Sequence, residues 1–61
     1  MDWTEPKDGV SRRSDGYFAQ EQFGCWTGHA PGDSPLDGKA LVQRVELADV
    51  QSWLDLQHPP A

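Results

Sequence analysis

Cys25 and His29 are the residues of this 61-residue chain whose types and spacing come closest to a metal site or a nucleophile. Zinc sites normally use four ligands, mostly Cys and His. The chain has one Cys and two His, and the second histidine, His58, lies far along the sequence, while nothing fixes Asp33 nearby as a further ligand. A Cys–His nucleophile also requires direct contact between the two side chains and a third group that orients the base. We therefore expect no metal, no cofactor and no enzymatic activity, with Cys25 as a small buried hydrophobe and His29 as a loop residue.

The carboxylates are the second group of residues with a possible chemical role. Ten Asp and Glu residues face five Lys and Arg residues, which gives a formal net charge of −5. Acids occur without any base from Ser14 to Gly38 and again from Val45 to the C-terminus. Because nucleic-acid binding depends on Lys and Arg side chains that displace counterions, we expect no direct contact with DNA or RNA. A basic protein surface is the better electrostatic partner for such a chain.

Three tryptophans form a high share of so short a chain. Tryptophan is frequent both in the cores of small domains and among the hot spots of protein interfaces. Trp53 falls on the apolar stripe of a predicted C-terminal helix, so we expect it in the core. Trp3 lies in a charged N-terminal segment, and Trp26 lies on one face of a predicted strand, so both are candidates for contact with a partner.

Three Asp-Gly pairs indicate where the chain turns, because Gly accepts positive φ at little steric cost and Asp tolerates it better than most residues. These pairs are Asp8-Gly9, Asp15-Gly16 and Asp37-Gly38. They divide residues 1–61 into short pieces of a single compact domain, with an irregular N-terminal arm over 1–8 and a C-terminal tail over 58–61. A lone cysteine is typical of a reducing compartment, and the chain has no leader-like or membrane-length apolar run, so we expect a cytoplasmic protein without membrane contact.

Two segments have strand-like patterns. Residues 17–27 are predicted as one strand, with a helix as the alternative because Ala19-Gln20-Glu21-Gln22 favours one. Strand alternation would give two faces: Tyr17, Ala19, Glu21, Phe23 and Cys25 against Phe18, Gln20, Gln22, Gly24 and Trp26. Residues 39–47 are predicted as a second strand with the faces Leu41, Gln43, Val45 and Leu47 against Val42, Arg44 and Glu46. One face of such an antiparallel sheet is expected to be buried and the other wet.

The C-terminal segment has the spacing of an amphipathic helix. Leu47, Val50, Trp53 and Leu54 repeat at helical intervals, and the proline pair at 59–60 ends the segment. Together these patterns predict an α+β fold, a small antiparallel β-meander of about three strands with one C-terminal helix packed on the sheet. Strand alternation leaves more aromatic residues than a one-sided core can cover, so some should face solvent or a partner.

The function predicted from these features is that of a small acidic protein-binding module. It would inhibit or regulate a larger nucleic-acid-handling partner by covering a basic surface, as a nucleic-acid mimic of the phage-encoded anti-host or anti-CRISPR kind. That comparison is an analogy of class. The residues predicted to contact the partner are Asp15, Asp33, Asp37, Glu46, Asp49, Asp55, Trp3 and Trp26. The alternative is a structural or assembly subunit without inhibitory activity, for example a homodimer that buries the surplus aromatic residues against a second copy.

Overall fold

The computed structural model describes residues 3–32 and 40–60. These residues form one antiparallel sheet of four strands in the order β1-β2-β3-β4, followed by a helix. The elements are β1 (Val10–Arg12), β2 (Phe18–Gln22), β3 (Cys25–His29), β4 (Val42–Arg44) and α1 (Leu47–Gln57). The predicted α+β fold, a meander with a C-terminal helix packed on it, is confirmed. The sheet has four strands instead of about three.

The additional strand results from a turn that the sequence analysis missed. The segment predicted as one strand over 17–27 reverses at Phe23-Gly24, where both residues have positive φ, 52° and 80°. The preference for a strand over a helix is confirmed, since β2 and β3 together occupy most of this segment. The reversal puts Gln22 opposite Cys25, so even-numbered residues of β2 share a face with odd-numbered residues of β3. The prediction that Phe18 and Trp26 share a face is therefore wrong.

Two of the three predicted Asp-Gly turns lie in the described residues. Asp8-Gly9 forms a two-residue turn with φ of 55° and 76°, closed by two hydrogen bonds between Lys7 and Val10 of 2.9 and 3.1 Å. Asp15-Gly16 lies in a three-residue loop between Arg13 and Tyr17, with Gly16 at φ 106°. Both turns join antiparallel segments, as Asp-Gly predicts. The pair at 37–38 lies outside the described residues.

The N-terminal arm runs antiparallel to β1. Trp3 forms a bridge with Arg13, and the backbone N–H of Thr4 donates to the carbonyl of Arg12 at 2.8 Å. The Ser11 hydroxyl adds a hydrogen bond to the carbonyl of Thr4 at 2.7 Å. The arm thus covers the outer edge of β1, which would otherwise present unpaired backbone groups.

A row of small side chains crosses the sheet beneath the helix. Ser11, Ala19, Gly28 and Val42 occupy successive positions of the strand register. A Cβ atom on Gly28 would lie 2.7 Å from Val42 Cγ1 and 3.0 Å from Leu54 Cδ1, so the helix rests directly on this position. The row therefore allows α1 to approach the sheet closely, and its face is the one that the helix covers.

The opposite face of the sheet is also buried at one end, which corrects the expectation of one buried and one wet face. Phe18 and His29 are paired across β2 and β3 and are only 6% and 2% exposed. Their rings stack at 5.0 Å, and the Arg12 guanidinium lies 5.6 Å from the Phe18 ring centre. Thr27, next to His29 on the same face, is buried as well.

The strand predicted over 39–47 is shorter than expected, and its apolar face is reversed. Only Val42–Arg44 forms β4, and Val42 is buried while Leu41 and Val45 are 40% and 71% exposed. The apolar alternation of the sequence continues into a segment that bends toward the helix, so pattern alone assigned the wrong face. Burial follows the contact with α1, since Val42 packs with Val50 and Leu54.

Helix α1 agrees with the predicted helical segment. Val50 and Leu54 are fully buried, Leu47 and Trp53 pack beside them, and Asp49 lies in the first turn, where a negative charge is favourable. The backbone N–H of His58 donates to the carbonyl of Leu54 at 2.8 Å and ends the helix just before the two prolines. Among the described residues, no helix combines the length and the apolar composition that crossing a bilayer would take.

We predict that Gly28→Ala destabilises the fold by about 1–3 kcal/mol, because the added methyl group overpacks the contact between sheet and helix. Its Cβ would meet three side-chain carbons at 2.7–3.1 Å. The exposed helix position Ser52→Ala is the control and should change stability by less than about 0.5 kcal/mol. Urea unfolding followed by tryptophan fluorescence measures both. Equal midpoints for Gly28→Ala and the wild type would show that the helix does not rest on this row.

Candidate functional site

Arg13 is the most highly connected charged residue of the described chain. Its side chain is 0% exposed, and Nε and Nη2 donate to the two carboxylate oxygens of Asp15 at 2.8 and 2.7 Å. Nη1 donates to Asp55 Oδ1 at 2.9 Å, and Nη2 also donates to the backbone carbonyl of His58 at 2.6 Å. The planar fork of the guanidinium suits this arrangement, because it offers five donors in fixed directions.

Aromatic rings enclose the guanidinium. Its central carbon lies 4.6 Å from the Tyr17 ring centre and 5.9 Å from the Trp3 ring centre. The Tyr17 ring stacks on His58 at 5.3 Å, and the Trp3 indole N–H donates to Asp55 at 3.2 Å. We call this group the Arg13 cluster, defined as Trp3, Arg13, Asp15, Tyr17, Asp55 and His58. It joins the arm, the first hairpin, the last turn of α1 and the residue that follows it.

The charges in the Arg13 cluster compensate one another. The hydrogen bond from Arg13 lowers the pKa of Asp15, and the same bond raises the pKa of Arg13 against the opposing effect of burial. Asp55 shares the same guanidinium. Three residues predicted to contact a partner, Trp3, Asp15 and Asp55, are therefore occupied by contacts within the chain. A charge reversal at Asp55 would disrupt the fold as well as any interface.

The opposite end of the sheet has exposed carboxylates instead. We call it the open end, defined as the Asp8-Gly9 turn, Glu21, the Phe23-Gly24 turn and the link from Arg44 to the first turn of α1. The backbone N–H of Glu21 donates to the Gly9 carbonyl at 2.8 Å, which places the Asp8 turn beside Glu21. Antiparallel pairing puts the ends of β1, β2, β3 and β4 together there.

Two further residues of the predicted partner surface, Glu46 and Asp49, lie at the open end. Glu46 precedes α1 and makes no side-chain capping hydrogen bond, and Asp49 lies in the first turn. Both are exposed, and within residues 3–32 and 40–60 neither forms an ion pair. Trp26 is half-buried between Glu21 and Arg44 in the register and packs against the core. Asp33 and Asp37 lie outside the described residues.

Phe23 is the surface residue that sequence reasoning missed as a candidate. It is 104% exposed at the tip of the β2–β3 hairpin, and Val45 at the same end is 71% exposed. The available signal was the Phe-Gly pair, since a glycine in second position is typical of a tight hairpin turn. The signal was weak because phenylalanine rarely adopts positive φ.

Cys25 and His29 do not form a reactive pair. They occupy the two ends of β3, four residues apart, which corresponds to roughly 13 Å of extended chain. His29 is a buried strand residue and not the loop residue predicted. The Thr27 hydroxyl donates to the Gln20 carbonyl at 3.2 Å, so the His29 Nε2 atom 2.8 Å away must donate its proton to Thr27. Within the described residues, no three His, Cys, Asp or Glu side chains are grouped as a metal site requires.

A groove of about 410 Å³ lies between the N-terminal arm and β1. Its lining is of mixed charge, and neither Cys25 nor His29 contributes to it. The lining residues are Thr4, Glu5, Lys7, Asp8, Val10 and Arg12. We assign no reaction to this groove, because its walls carry no nucleophile paired with a base.

We predict that Arg13→Lys destabilises the protein by about 2–4 kcal/mol, because one ammonium group cannot replace the bidentate bond to Asp15 together with the bonds to Asp55 and the His58 carbonyl. Arg12→Lys is the matched control. Arg12 is adjacent and exposed, and it has one cation–π contact, so the loss should be below about 1 kcal/mol. Denaturant unfolding compares the two. Equal losses would mean that the Arg13 cluster contributes little to stability.

We further predict that Asp15 contributes to the acid sensitivity of the fold. Its folded-state pKa is lowered, so the stability it provides is present at neutral pH and is lost as the pH falls below about 4 and through the folded-state value. Asp15→Asn should therefore be less stable than the wild type at pH 7, and the two should converge in acid. Urea unfolding over a series from about pH 7 to pH 2 measures this. A constant difference across the series would contradict the role of the Arg13–Asp15 pair.

Comparisons with known proteins give no relative from which a function would follow. The chain matches no protein-family model, no curated protein and no solved structure. A function for this fold is therefore argued from its own contacts and charges.

Proposed function

We propose that this chain is a small acidic protein-binding module that inhibits or regulates a larger partner by covering a basic, nucleic-acid-binding surface. The observation that carries the proposal is the position of the exposed carboxylates. Four of them come from three separate elements to the open end: Asp8, Glu21, Glu46 and Asp49. Within residues 3–32 and 40–60 none of the four forms an ion pair.

The balance of charge at this end favours a basic partner. Lys7 and Arg44 are the exposed bases nearby in the register, and the four carboxylates outnumber them. The Arg44 guanidinium donates to the carbonyl of Gln43 and not to a carboxylate. The open end is therefore negatively charged without internal neutralisation, which repels phosphate backbones and attracts Lys- and Arg-rich surfaces.

The self-associating alternative rests on a different set of residues. Leu56 on α1 is 75% exposed, Val45 is 71% exposed and Leu41 is 40% exposed. A homodimer would bury some of this area, but it would also bring two chains of charge −5 together. Light scattering over a concentration series separates the two functions, since a monomer at high concentration opposes self-assembly.

The first experiment is capture of the partner by the immobilised protein from a nuclease-treated lysate of the source host, with elution by a rising salt gradient. The proposal expects a basic protein that elutes as salt screens exposed charges. The captured protein is then purified and titrated against the chain with and without duplex DNA. DNA that leaves binding unchanged would contradict the covering of a nucleic-acid surface, whatever the affinity.

We predict that single amide replacements at the open end weaken binding to this partner about 2- to 10-fold at low salt, as expected for charges at an interface. The variants are Asp8→Asn and Glu46→Gln, and both should fold normally because Asn suits the turn and Glu46 makes no capping bond. Glu5→Gln, which removes one exposed charge from the arm, is the control. Isothermal titration at two salt concentrations measures the effect. Equal affinities for all three variants would indicate that net charge, and not the open end, determines binding.

A further inference from the structure

Two turns of this chain have nearly the same backbone geometry but different residues. Asp8-Gly9 has φ of 55° and 76°, and Phe23-Gly24 has φ of 52° and 80°. Each pair joins two antiparallel segments through a two-residue loop, with Lys7 opposite Val10 in the first and Gln22 opposite Cys25 in the second. Turns with positive φ at both central positions favour Asn, Asp or Gly first. The first turn follows that preference, and the second places a bulky aromatic residue in the strained position.

Phe23 gains no compensating contact within the described chain. Its exposure is 104%, and no ring stacking or cation–π contact involves it among residues 3–32 and 40–60. Phe18, by comparison, is 6% exposed and stacks on His29. Phe23 therefore lowers the stability of the monomer through its backbone and exposes an apolar ring to water. An interaction outside the monomer would reverse the second of these effects.

The surroundings of Phe23 determine which chemistry fits it. The ring stands at the same end of the sheet as Asp8, Glu21 and Glu46, which are exposed and carry no ion pair in the described residues. A second copy docked here would oppose acids with acids, and a phosphate backbone or an anionic membrane would be repelled. Val45 adds exposed apolar area beside the ring. Charge and polarity together match a protein pocket with an apolar floor and a rim of Lys and Arg.

We propose that Phe23 is the aromatic anchor of the partner-binding surface and that it inserts into an apolar pocket rimmed by basic residues on a protein partner. The inference rests on the proposed function and deepens it. The carboxylates around Phe23 orient the approach and contact the rim, while the ring supplies the buried contact that resists salt.

The test is Phe23→Asn. It improves the turn and removes the ring, so we expect a higher unfolding midpoint together with at least a tenfold loss of affinity for the protein captured from the host lysate. Leu56→Asn is the matched control, because it removes an equally exposed apolar side chain from α1. It should leave affinity within twofold. Benzoylphenylalanine at position 23, photolysed in the complex and mapped by mass spectrometry, should crosslink to an apolar residue flanked by Lys or Arg.

The outcomes separate the anchor from the proposed function. If Phe23→Asn binds as the wild type does while Asp8→Asn and Glu46→Gln bind more weakly, the anchor is wrong and the acidic module remains. If Phe23→Asn loses binding but salt and the acidic variants have no effect, the ring is a binding residue and the basic rim is wrong. If wild type and Phe23→Asn capture the same proteins in the same amounts, or none, the anchor is overturned. A Phe23→Asn variant less stable than the wild type would overturn the turn argument on its own.

Discussion

The buried guanidinium of Arg13 is the interaction on which the rest of this fold depends. The fully described apolar core is small, five side chains of which one is an alanine. A buried charge is costly unless it is paired and hydrogen-bonded, so the four bonds to Asp15, Asp55 and the His58 carbonyl are needed together. Because those acceptors lie on the first hairpin, on α1 and just after it, the cluster requires all of these parts to assume their native positions at once.

This requirement also divides the surface into two ends with different roles. At the Arg13 cluster, Trp3, Asp15 and Asp55 are used by the chain itself. At the open end, acids of the same chemical type have no internal partner among the described residues and stay available to another molecule. Composition alone treats all ten carboxylates as equivalent. Position in the sheet, and not number, decides which of them contribute to binding.

The parts of the fold that could be predicted from sequence are those fixed by local rules. The helix follows from the spacing of Leu47, Val50 and Leu54, and two turns follow from Asp-Gly pairs. The Arg13 cluster could not be predicted, because Arg13 and Asp55 are 42 positions apart and only the fold brings them together. The row of small residues under α1 was equally hidden, since the register that aligns its members depends on a turn at Phe23 that phenylalanine disfavours.

That last failure is informative about function. A chain of this size has little stability to spare, so local preferences and global fold should agree at most positions, as they do at Asp8-Gly9. Phe23 disagrees on two counts, through positive φ and through complete exposure. Departures from local preference that bring no benefit to the folded monomer tend to coincide with binding sites. The same residue that defeated prediction of the hairpin is therefore the best single indicator of where this protein meets its partner.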